Sequence, residues 1–138
     1  MRKITFVVSL IIIMTMFTSV AYAASTVSGT SSGGTDGVAN LNGSIWIVRN
    51  STSIFYKDEV AAKTTTDALG TLAVRTVIWF NDGSTEKTKA NEAWDYGTET
   101  SVQAPVQADN QYANQGTAGH IYSSPTRGEW VGSTNISF

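Results

Sequence analysis

The chain has 138 residues, with 9 Lys and Arg against 11 Asp and Glu, no Cys and a formal charge of −2. It has no cluster of Lys and Arg, the groups with which proteins displace counterions from a phosphate backbone, so nucleic acid is excluded as a partner. Disulfide staples are excluded too, and one hydrophobic core in a single domain must carry the stability.

Arg2 and Lys3 precede a mostly apolar run from Ile4 to Val20, and Ala21-Tyr22-Ala23 supplies the small-x-small pattern of a signal-peptidase site. Residues 1–23 are therefore expected to be a signal peptide cleaved after Ala23. The protein is then secreted, with no stable membrane insertion after cleavage. A spanning helix needs about 20 predominantly apolar residues. Ser9, Thr15, Thr18 and Ser19 interrupt this run, so a retained N-terminal anchor is the weaker reading. Cleavage would leave 115 residues carrying 7 basic and 11 acidic side chains. A chain of that size buries somewhat under about 70% of its unfolded surface, enough to fold without staples.

Residues 24–37 contain "STVSGTSSGGTDG", where Val27 alone could bury apolar surface. Ordering so much Gly, Ser and Thr is entropically costly, and the stretch reads as a flexible leader. The domain proper, 38–138, reads as all-β. Ser and Thr make up 29 of the 115 residues after the signal, and the branched Cβ of Thr suits a pleated surface. Lys57 to Ala62 ("KDEVAA") could form at most a single helical turn, marginal without tertiary support.

Strands are expected at "GSIWIV" (43–48), "SIFY" (53–56), "VAAKTTT" (60–66), "TLAVRTVIWF" (71–80) and "STEKTKANEA" (84–93). "TETSVQAPV" (98–106) follows, with Pro105 implying a sheet edge or strand end. "GHIYSS" (119–124) and "EWVGSTNISF" (129–138) close the chain through Pro125-Thr126-Arg127-Gly128. About seven or eight short strands with turn residues between them predict a small antiparallel β-sandwich of immunoglobulin-like architecture.

Asp82-Gly83 suits a type I′ turn. A hairpin centred there sets Phe80 opposite Thr85 and Ile78 opposite Lys87, with Trp79 opposite Glu86 and Val77 opposite Thr88. The return strand is polar on both parities and reads as a sheet edge guarded by Lys87 and Lys89. Leu72, Val74, Ile78 and Phe80 then face the core, which puts Trp79 on the outside.

Catalytic chemistry finds few residues to use. His120 is the single His, no Gly-x-Ser-x-Gly elbow occurs, and the bland reading is a strand histidine bonded to a backbone or hydroxyl group. Glu86, Glu92, Asp95, Glu99 and Glu129 could pair for glycoside hydrolysis, but scattered carboxylates are mostly solvated. One His and no Cys cannot build a zinc site, and Asp36-Gly37 and "NDGS" are only fragments of a calcium loop. No catalytic residue, metal or cofactor is assigned, and the protein is read as a non-enzyme.

The aromatic residues are more informative. Trp and Tyr combine a large apolar area with a polar tip, and on an exposed sheet they can stack on sugar rings or anchor a protein. Trp46 and Trp130 are expected as core fillers. Trp79, Trp94 and Tyr96 are the candidate binding residues. In composition and size the plan resembles that of small secreted proteins of Gram-positive bacteria, some of them bacteriocins. The expectation is a secreted binding protein whose partner is an extracellular polymer or a protein. The alternative is a bacteriocin or toxin-like β protein acting on a target cell envelope.

Overall fold

The computed structural model describes residues 20–50, 57–108 and 112–137. Eight strands run through them: β1 (Val20–Thr30), β2 (Asn40–Asn50), β3 (Lys57–Thr66), β4 (Thr71–Asp82), β5 (Thr85–Tyr96), β6 (Ser101–Gln107), β7 (Ala113–Ser124) and β8 (Gly128–Ser137). They form two antiparallel four-stranded sheets, ordered β1-β2-β3-β6 and β5-β4-β7-β8, which pack into a sandwich. The two-sheet architecture is the one expected. Its strand order differs from an immunoglobulin's, where the second strand pairs with the fifth; here β2 pairs with β3. The "SIFY" segment lies outside the described residues.

Alternation decides which side of each strand is buried. Ile45 and Ile47 of β2 and Val60 and Ala62 of β3 face Leu72, Val74, Ile78 and Phe80 of β4 across the core, with Tyr122 of β7 among them. Burying side chains of this size contributes roughly 1.5–3 kcal/mol each. Residues 57–62 are strand rather than a helical turn, because β2 pairs with all of them and β6 pairs with Glu59 to Ala62 on the other side. Trp46 is not a core filler. It has the opposite parity to Ile45 and Ile47 and lies half-buried on the outer face, directly opposite Ala61.

The stretch expected as a flexible leader is part of the sandwich. Ala24 to Thr30 lie in β1, paired with β2 from Trp46 to Asn40. The residues after it lock onto the β7–β8 turn: the amides of Ser32, Gly33 and Asp36 donate to the carbonyls of Glu129, Arg127 and Thr126 at 2.9–3.1 Å. Packing supplies what composition lacks. The Trp130 indole of β8 covers Gly29 of β1 so closely that a Cβ there would lie 2.3 Å from Nε1. Only glycine lets the indole close this seam.

The hairpin between β4 and β5 corrects the expected turn. Asp82 pairs with Thr85, so the two loop residues are Gly83 and Ser84 rather than Asp82 and Gly83. Phe80 therefore faces Lys87, and Trp79 faces Thr88. Gly83 takes the φ of +66° that a primed hairpin turn requires at its first position, and Asp82 instead pairs its carboxylate with Lys87. The slip moves each partner by two residues, so the faces stay as expected. β5 is the edge of its sheet and β6, with Pro105, the edge of the other.

Candidate binding site

Directly paired residues of antiparallel strands point to one face, so the register of β5-β4-β7-β8 defines rows across its outer surface. Tyr96, Thr71, Ser123 and Glu129 form one row. Trp94, Ala73, Ile121 and Val131 form the next, followed by Glu92, Arg75, Gly119 and Ser133. Trp94 is 48% exposed, Tyr96 77%, Ile121 39% and Val131 75%. Four large side chains in two adjacent rows thus form a contiguous apolar strip on the surface, the kind of feature that marks a contact site.

Trp94 and Tyr96 stand two residues apart with rings nearly parallel, 12° between planes and 6.2 Å between centroids. Ala73, small and buried, leaves a recess of about 240 Å³ between Trp94 and Ile121, with Arg75, Glu92 and Gly119 along its side. The strand end that carries the rings is held from beneath by Asp95, whose side chain points inward between them. Its carboxylate accepts hydrogen bonds from the amides of Gly97, Thr98 and Glu99 at 2.9–3.0 Å and from the Thr98 hydroxyl. The Thr98 hydroxyl first, then these amides, hold its pKa down at about 2. Asp95 is charged at any ordinary pH, and the turn that ends β5 is fixed by it.

Of the three residues singled out from the sequence, the structure brings Trp94 and Tyr96 together. Trp79 is on the same face but half-buried, opposite Thr88 and Gln115. Six residues of β4 separate it from Ala73, about 20 Å of strand. Ile121, Val131, Arg75 and Gly119 were not singled out. Only the pairing of β4 with β7, and of β7 with β8, places them beside Trp94, and that pairing leaves no local trace.

His120 belongs to the core. It is fully buried, and its ring nitrogens each lie 2.9 Å from a hydroxyl, Nδ1 from Thr64 and Nε2 from Thr134. The Thr64 hydroxyl donates to the Ala73 carbonyl, so it accepts from Nδ1–H, and Thr134 donates to Nε2. Burial lowers the histidine's pKa to about 4, which leaves the ring neutral. The imidazole ties β3 of one sheet to β7 and β8 of the other. Among the described residues no group of three His, Asp or Glu side chains could hold a metal ion. Comparison with protein-family models, with curated proteins and with solved structures finds no match.

Proposed function

We propose that the protein is secreted and binds, without catalysis, an extracellular partner against the outer face of the β5-β4-β7-β8 sheet. The observation that carries this reading is the strip formed by Trp94, Tyr96, Ile121 and Val131, exposed in two adjacent rows. Large aromatic groups presented on a rigid sheet lose little entropy when they are covered, which suits them as anchors. Secretion is supported by the basic start, the apolar run and Ala21-Tyr22-Ala23. The non-enzymatic part is supported by the two hydroxyls that occupy His120 in the core.

The test is capture. Purified protein is incubated with cell envelopes and culture medium, and retained partners are compared for the wild type and Trp94→Ala. Retention that depends on Trp94 is the expected result. Equal retention by both proteins removes the face from the function. Growth inhibition of related bacteria without any Trp94-dependent partner would favour the toxin-like alternative.

A further inference from the structure

Resting on that reading, we propose that the ligand is an uncharged linear polysaccharide lying along β5, with one sugar ring seated in the recess beside Trp94. Three neighbouring recesses, each sharing at least one lining residue with the next, define its path. The apolar one shares Arg75 and Glu92 with a second of about 460 Å³, which extends to Ala90 and Asn91. That one shares Ala90 with a third, about 580 Å³, bounded by Lys89, Glu59 and residues 105–108 at the margin between β5 and β6. From Trp94 to Lys89 the path runs about 17 Å at strand rise. The first recess, about 240 Å³, is too small to engulf a drug-sized ligand, for which pockets run about 300–1,000 Å³. It has room for one ring, and a chain that continues past it enters the next two.

Charge selects the polymer. Arg75 stands opposite Glu92, and Lys89 shares its recess with Glu59, so each stretch of the path offers a cation and an anion together. Such a balanced surface does not steer a polyanion or a polycation. Hydroxyl groups, which both donate and accept, use both kinds of partner. The exposed indole supplies the apolar platform against which the C–H face of a ring packs, and Gly119 leaves space across from it.

Other occupants fit less well. The four side chains of the strip expose on the order of 500 Å² over two adjacent rows, short of the roughly 800 Å² per partner in a stable dimer. A peptide added as a strand would meet Glu86, Lys87 and Lys89 along the free edge of β5, the charges with which edges resist pairing, and Pro105 on β6 lacks a donor.

The experiment measures retention on amorphous cellulose, colloidal chitin, xylan and mannan, and affinity for the soluble disaccharides and hexasaccharides of whichever polymer retains the protein. The expected result is retention by at least one neutral glycan and binding of its hexasaccharide at least tenfold tighter than its disaccharide. Trp94→Ala should lose tenfold or more, and Arg75→Gln and Glu92→Gln several-fold each. Trp46→Phe, on the outer face of the other sheet, should change nothing. If Trp94→Ala proves poorly folded, the Arg75 and Glu92 variants carry the test. Equal affinity for disaccharide and hexasaccharide, or no retention on any of these glycans, overturns the proposal. A Trp94-dependent partner that is a protein, peptide or anionic polymer also overturns it but leaves the binding reading standing; with no Trp94-dependent partner of any kind, both fall.

Discussion

The two margins of the sandwich are built differently. Where β1 meets β8, the Trp130 indole fills the gap against Gly29 and Gly132 with its ring 6.5 Å from that of His120, and just beyond β1 the amides of Ser32, Gly33 and Asp36 bond across to Glu129, Arg127 and Thr126. Where β5 meets β6, the Asn91 side-chain amide donates to the Pro105 carbonyl at 2.8 Å, and an open groove remains beside it. An aromatic group therefore serves as a wedge at one margin. At the other, Trp94 and Tyr96 stand clear on the neighbouring face. The same residue type is structural where glycines let it sink between strands and available for contact where a flat edge strand holds it up.

The largest expected effect follows from the closed margin. Trp130→Ala removes most of what fills the β1–β8 seam and should cost about 3 kcal/mol or more, read from the denaturant midpoint. It should also raise hydrogen exchange in β1 more than in β5. A loss confined to β5 would show that the seams have been ranked the wrong way round.

Acid should weaken the same half. In the unfolded chain His120 takes a proton near pH 6.5, but in the fold only near pH 4. The unfolded state binds more protons in between, so stability is complete above about pH 6.5 and falls as the pH drops towards 4. The loss is on the order of 3 kcal/mol. Asp95, held at about 2, contributes stability that disappears only as the pH falls from about 4 towards 2, so the two windows are separate. His120→Gln should flatten the curve between pH 6.5 and 4. A wild-type midpoint that stays constant across that range would contradict the buried neutral imidazole.

The turn of the open hairpin gives a smaller effect and separates two registers. Gly83→Val should cost about 1 kcal/mol or more, because a β-branched residue resists positive φ. Asp82→Val should cost little beyond an exposed ion pair with Lys87, worth about 0–1 kcal/mol. Equal penalties at both positions would restore Asp82-Gly83 as the loop.

What could be read in the sequence was what neighbouring residues decide. The parity of Leu72, Val74, Ile78 and Phe80 identifies the buried side of β4, and polarity on both parities identifies β5 as an edge. Local reasoning failed where a distant partner decides. Asp82-Gly83 is a good turn dipeptide, yet the pairing of Asp82 with Thr85 moves the loop by one position. Ser25 to Gly37 have too little apolar surface to order themselves, and β2, Trp130 and the β7–β8 turn order them instead. Trp46 has the composition of a core residue, but its parity relative to Ile45 and Ile47 sends it outward. The candidate site shows the same division. Trp94 and Tyr96 are two residues apart on one strand, whereas Ile121 and Val131 reach them only through strand pairing.

The smallest expected effect on stability is the most informative about function. Three tryptophans should rank by what they pack against, Trp130 lying on the core cluster and between Gly29 and Gly132. Trp130→Ala is the costliest, and Trp79→Ala, half-buried among Thr88 and Gln115, should cost about 1–2 kcal/mol. Trp94→Ala should cost under about 1 kcal/mol, since half its surface is already in water and its removal opens no internal cavity. Capture of the proposed extracellular partner should rank them in reverse, with Trp94→Ala defective and Trp79→Ala close to wild type, about 20 Å of strand away. The three variants, compared by midpoint and by retention on the same material, separate a packing surface from a contact surface. Should Trp94→Ala lower the midpoint as much as Trp130→Ala, the indole is holding the sheet together, and the strip beside Ile121 loses its role as a binding face.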